Sequence, residues 1–80
     1  MKINTLFFGI TTDLVGETEL QVEVENEISV ADFKKILQEK HAELKNINSY
    51  AIAVNESYAT DNLLLKANDV VAIIPPVSGG

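Results

Sequence analysis

Polar and apolar residues alternate along much of the chain, and the period of that alternation marks its elements. Over residues 2–8, Ile3, Thr5 and Phe7 fall on one side and Leu6 and Phe8 on the other, which predicts a strand apolar on parts of both faces. Residues 19–25 alternate more cleanly. Leu20, Val22 and Val24 face a core there, and the intervening acids face water. Gly9 and Gly16 bound what reads as a loop between these two strands. The period then changes. Ser29 is placed as an N-cap with Asp32 as its acidic box partner, Ile28 staples onto Phe33, and Phe33, Ile36, Leu37 and Leu44 recur at helical spacing. Lys34, Lys35, Glu39 and Glu43 take the remaining surface, giving a helix of about four turns that ends near Asn46. Residues 50–55 form a third strand with Ile52 and Val54 inward, a turn follows at Glu56 and Ser57, and Tyr58 falls in a short edge strand. Leu63, Leu64 and Leu65 form an apolar patch before the turn signal Asn68-Asp69. Val70 to Ile74 is the strongest strand in the chain, and Pro75-Pro76 must end it.

Strand, strand, helix, strand, short element, strand is an α+β order: one sheet with a single main helix covering one face. The last strand is nearly all apolar, which suits the centre of the sheet. Leu6, Phe8, Ala72 and Ile74 then form an apolar strip on the uncovered face, as a docking surface would. The competing reading is a sheet face partly shielded by loops.

Eighty residues make one domain, 1–80, with 46% hydrophobic residues to fill its core. There is no cysteine and only one histidine, so neither a disulfide nor a metal is expected as a staple; a cytoplasmic setting is expected. The first residues lack the pattern of a signal peptide, and no apolar run approaches the roughly 20 residues of a membrane span. A formal charge of −6 argues against nucleic acid and favours a basic protein partner.

Side-chain chemistry is sparse. His41 has no companion at metal-ligand spacing, Ser29 is better used as a cap than as a nucleophile, and Asp61 and Asp69 sit in turns where Asp commonly bonds backbone. What remains is the arm Pro75-Pro76-Val77-Ser78-Gly79-Gly80. In an extended polyproline form, six residues at roughly 3.1 Å each carry its end about 19 Å beyond the sheet. Gly79 and Gly80 can enter a narrow channel, and a terminal carboxylate at Gly80 is an anion able to attack the α-phosphorus of ATP. An inert, frayed tail is the alternative.

The ending Ala72-Ile73-Ile74-Pro75-Pro76-Val77-Ser78-Gly79-Gly80 resembles that of the sulfur-carrier small subunits of molybdopterin synthase, where a hydrophobic strand runs into Pro-Pro-Val, a small residue and Gly-Gly. Leu6-Phe7-Phe8-Gly9 is similar to the family's first-strand pattern, and Val54-Asn55 matches at the third strand. Two positions depart. Thr12-Asp13 stands where an Arg-Glu pair is usual, and Asn68-Asp69-Val70-Val71 where Gly-Asp-Glu-Val is usual. Asn is the best substitute for Gly at positive φ, so that turn is expected to survive. The resemblance implies a ubiquitin-like β-grasp fold with a mixed sheet and a Gly-Gly tail, and no tightly bound cofactor. It also implies a sequence of partners: an adenylyltransferase of the ubiquitin-activating kind that uses ATP to make a glycyl adenylate at Gly80, a sulfur donor protein that converts it to a thiocarboxylate, and a large synthase subunit, in a heterotetramer, that takes the sulfur. Leu6, Phe8, Ile74, Pro75, Pro76, Val77, Ser78 and Gly79 would be the contact residues. A carrier for thiazole formation or tRNA thiolation, a ubiquitin-like protein modifier and a plain interaction module remain as alternatives.

Overall fold

The computed structural model describes residues 1–76; Val77, Ser78, Gly79 and Gly80 lie outside them. The elements are β1 (Lys2–Phe7), α1 (Ile10–Val15), β2 (Glu19–Glu23), α2 (Val30–Lys40), a single 3₁₀ turn (Ile47–Ser49), β3 (Ala51–Val54), β4 (Ser57–Tyr58) and β5 (Val70–Ile74). The strands form one mixed sheet in the order β2-β1-β5-β3-β4. β5 runs parallel to β1, and every other pair is antiparallel.

In β1, β2 and β5 burial follows the alternation read from the sequence, whereas in β3 Ala53 is buried along with Ile52 and Val54. Ile3, Thr5 and Phe7 of β1, Val22 of β2, Ile52 and Val54 of β3, and Val71 and Ile73 of β5 are all buried. With Phe33 and Leu37 of α2, Leu44, Ile47 and Leu65, they make the core. β5 lies in the middle of the sheet as its apolar composition requires, with Val71 and Ile73 fully buried. Among the described residues no helix is long and apolar enough to cross a membrane.

Three expectations are corrected. The segment between Gly9 and Gly16 is a short helix, α1, and not a loop. Gly9 (φ 56°, ψ −136°) starts it and Gly16 (φ 84°) ends it in the left-handed region, donating its N–H to Thr12 O. α2 stops at Lys40, nearly two turns before the end near Asn46 that its periodicity suggests. The chain leaves helical geometry at His41 (φ −132°, ψ 86°), and Leu44 reaches the core from a turn in which its N–H donates to His41 O at 3.0 Å. Lys34 is not a surface residue. Its side chain is 8% exposed, and its Nζ lies 2.7 Å from Asp61 Oδ1.

That ion pair is one of several ties between the 59–66 loop and the start of α2. Val30 N donates to Leu63 O, Ala31 N to Asp61 O, and Asp32 N to the Ser29 hydroxyl at 3.2 Å. The first three amides of the helix, which have no partner within it, are all used. The turn at Asn68 survives as expected, with φ 69°. Asn55 (φ 51°) and Glu56 (φ 73°) form the two-residue connection of the β3–β4 hairpin, the left-handed pair that matches strand twist.

Two stability outcomes follow from buried polar groups. Thr5 Oγ1 is buried with no hydrogen-bond partner among the described residues, so Thr5→Val should stabilise the fold by about 1 kcal/mol, read as a higher denaturant midpoint at unchanged slope. Asp61→Asn leaves the Lys34 ammonium without its counter-charge. Because Asp61 is 60% exposed, screening holds the cost to about 1 kcal/mol, which chemical denaturation of both variants would resolve.

Candidate functional site

The side chains of β1 and β5 that point away from α2 meet on the uncovered face of the sheet. The parallel register places Leu6 beside Ala72, and the antiparallel register places Ala53 opposite Ala72 and Tyr58 opposite Ala53. Leu6, Phe8, Ala72 and Ile74, the strip expected from alternation, therefore share one shallow cavity of about 340 Å³. Val70 and Ala53 complete its floor, and Glu56 and Tyr58 stand at its rim. Leu6, Ala72 and Ile74 are half-buried, whereas Phe8 is 48% and Tyr58 79% exposed. Two large aromatic groups thus stand out of an otherwise low apolar floor, as anchors at protein interfaces do.

Phe8 is held by its backbone. Its N–H donates to Ile73 O at 3.3 Å and to Thr11 Oγ1 at 3.0 Å, and its carbonyl accepts a bond from the same Thr11 hydroxyl. Thr12 Oγ1 donates to Phe7 O at 3.0 Å. α1 thereby clamps the end of β1, and the buried Thr11 is the residue that does so. The threonine that stands in place of the family's usual Arg is thus engaged with the backbone of β1.

The arm starts against this same clamp. Gly9 has a positive φ, which favours glycine, and a Cβ there would lie 3.2 Å from Pro75 Cγ, so the proline ring would have to give by a few tenths of an ångström. Pro75 is half-buried on Gly9, and Pro76 is exposed. The predicted residues Leu6, Phe8, Ile74, Pro75 and Pro76 are brought together; Val77, Ser78, Gly79 and Gly80 lie outside the described residues. Thr11, Ala53 and Tyr58 were not foreseen at the site. The alternation of Ala51 and Ala53 against Ile52 and Val54 carried the signal for Ala53, whereas nothing local announces that Thr11 closes on Phe8. Among the described residues no group of three or more His, Cys, Asp or Glu side chains is arranged to hold a metal ion.

Comparison with known proteins agrees with this geometry. Residues 5–80 match the ThiS family. The molybdopterin synthase sulfur carrier subunit of Caenorhabditis briggsae is 35% identical over 83 residues, an alignment covering 100% of this chain and 99% of that protein. The crystal structure of SAMP1 from Haloferax volcanii superimposes with a TM-score of 0.90 at 22% identity over 100% of both chains, a likeness of fold. A chain in the complex of subunits 1 and 2 of molybdopterin-converting factor from Helicobacter pylori 26695 is 30% identical, with a TM-score of 0.71 over 100% of both chains. The match opens within β1, runs through the whole sheet and reaches residue 80, and the neighbours share the ubiquitin-like β-grasp: the chain belongs to the ThiS family.

Proposed function

We propose that this chain is the sulfur-carrier subunit of a molybdopterin synthase, docking on a large subunit through the Leu6, Phe8 and Ile74 strip and delivering sulfur from Gly80. The observation that carries the reading is the position of the arm's root. β5 ends at Ile74 inside the apolar strip, and Pro75 rests on Gly9 at its border, so a partner that covers the strip also meets the first residue of the arm. The two-subunit complex supports a large subunit as that partner, and the full-length relative supports the carrier role.

On this reading the protein contributes a carried atom and no side-chain catalyst. An adenylyltransferase of the ubiquitin-activating kind joins the Gly80 carboxylate to the α-phosphorus of ATP, and pyrophosphate leaves. A persulfide on a donor protein displaces AMP, and a thiol cleaves the acyl disulfide to leave the thiocarboxylate. The large subunit, in a heterotetramer with two carriers, then accepts the arm and passes the sulfur to a cyclic pyranopterin phosphate. ATP belongs to the activating enzyme, and the carrier itself needs no resident cofactor. Such exchange of thiol sulfur suits the reducing cytoplasm.

Phe8→Asp should lower affinity for the large subunit by about 3 kcal/mol, on the order of a hundredfold, with unchanged thermal unfolding. Titration calorimetry of the purified pair checks it; wild-type affinity would mean that the docking strip is elsewhere. The carrier assignment itself is tested at the chain end. One added residue moves the carboxylate by about 3.5 Å, out of a near-attack position. Deleting Gly80, or adding one residue after it, should therefore abolish sulfur transfer and leave the fold intact. Intact-mass analysis after incubation with the activating enzyme, ATP and sulfur donor should show one oxygen-to-sulfur exchange in wild type and none in either variant. Should both variants still support molybdopterin synthesis without being trimmed or extended back to Gly80, the reading is wrong. Ladders of higher mass on denaturing gels would instead identify a protein modifier.

A further inference from the structure

The opposite border of the sheet has a free edge that the sulfur-carrier reading does not use. Among the described residues, β2 pairs with β1 alone. Met1 and Val24 exchange both backbone hydrogen bonds, at 2.6 and 2.8 Å, and Phe7 N donates to Thr18 O. Antiparallel ladders alternate, so Leu20, Val22 and Val24 direct their backbone groups at β1, and Glu19, Gln21 and Glu23 direct theirs outward. Those three residues are exposed and present a row of N–H and C=O groups with no backbone partner among the described residues.

Two further features border this edge. On the helix side, an open groove of about 650 Å³ runs between the end of β2 and α2, with Val24, Ile28 and Ile36 as its apolar lining and Glu23, Glu25, Asp32 and Lys35 around them. On the uncovered side of the sheet stand the Glu19, Gln21 and Glu23 side chains. The charge of the chain is also unevenly placed. Residues 3–33 contain seven acidic residues and no Lys or Arg, and outside that span the charges nearly cancel. Five of the seven, Glu17, Glu19, Glu23, Glu25 and Glu27, lie on or next to β2, and all are exposed.

We infer that the β2 edge receives an extended segment of a partner protein as an added sixth strand, and that the segment alternates apolar with basic residues. The period of a strand dictates the pattern. A strand laid along β2 sends every second side chain toward α2, into the apolar groove, and the others over the uncovered face beside Glu19 and Glu23. Backbone pairing supplies the register, the groove selects Val, Ile or Leu, and the acids select Lys or Arg and speed encounter. The edge is at the far end of the sheet from Tyr58 on β4, with β1 between it and the β5 strand that bears the arm, and of its acids Glu19, paired with Leu6, is the one that adjoins the strip.

The test uses the full-length protein, isotope-labelled, and two synthetic peptides of about ten residues: one alternating Lys with Val, the other with the same residues in an order that breaks the alternation. The alternating peptide should shift the amide resonances of Glu19, Gln21, Glu23 and Ile36 and protect the first three from hydrogen exchange. It should bind about tenfold more tightly than the shuffled one and lose affinity as salt rises from about 0.05 to about 0.3 M. Gln21→Pro removes an N–H that β1 does not use and should weaken binding about tenfold in a folded protein. Glu19→Lys with Glu23→Lys is the second variant and should weaken it comparably. Equal binding of both peptides would reduce the edge to a general charge attraction and overturn the inference. So would shifts centred on Leu6, Phe8 and Ala72, or no binding at about 1 mM peptide.

Discussion

The parallel pairing of β5 with β1 is the contact on which the rest of the molecule depends. It puts the last strand of the chain in the middle of the sheet, with β1 on one side and β3 on the other. A central strand has no edge to fray from, and two of the five residues of β5, Val71 and Ile73, are fully buried beneath α2. The arm that follows is anchored to the most constrained strand of the fold, and its root cannot drift without breaking ladders on both sides. Parallel neighbours also point the same way, so the end of β1 and the end of β5 come out together, bringing Phe8 and Gly9 next to Ile74 and Pro75.

The local chemistry around that pairing serves to fix its register. Entry into β5 is set by Asn55, whose N–H donates to Val70 O, whose side-chain oxygen accepts from Val70 N, and whose Nδ2 donates to Asp69 Oδ1. Asp69 Oδ2 accepts from Lys66 N, and Asn68 N donates to Lys2 O. Asn55 and Asn68 both adopt positive φ, where an asparagine costs less than other residues with side chains. A single side chain, that of Asn55, thus joins the β3–β4 hairpin to the first residue of the central strand. At the other end, Thr11 holds Phe8 and Gly9 admits Pro75, so entry and exit of β5 are both defined by polar or glycine positions and its interior by apolar ones.

What could be read from the sequence followed its strongest periodicities. The alternation in β1, β2 and β5 predicted which residues are buried, and the Ser29 cap is where the box pattern put it. The box is one-sided: Asp32 gives its amide to Ser29, and the neighbouring amides of the first turn are satisfied by carbonyls of the 59–66 loop, a long-range contact without a local signature. α1 was missed because six residues show less than two turns of pattern, and its stability comes from contacts with Phe7 and Phe8. Lys34 was misplaced because helical periodicity treats lysine as polar, while its long apolar stem can lie against a core and its ammonium reach Asp61. At the candidate site the strip was legible, since a strand with apolar residues on both faces must cover both. The clamp that aims its exposed aromatic was not, since it depends on a fold-back of α1 that only the tertiary structure shows.

A carrier whose arm leaves from inside its docking strip is limited in how it can meet its partners. On the proposed reading, the activating enzyme and the accepting subunit both need the arm, and each must approach the Leu6, Phe8 and Ile74 surface from which the arm departs. The strip is one shallow cavity with two prominent aromatics, too small to be shared, so the two partners exclude each other and sulfur moves only if each complex comes apart. That requirement favours a modest apolar contact over a large one, because affinity tuning acts mainly on the rate of dissociation. On the same reading the small residues of the strip, Ala72 on the central β5 and Ala53 on the neighbouring β3, keep its floor low and limit the area each partner can cover, while Phe8 and Tyr58 give orientation.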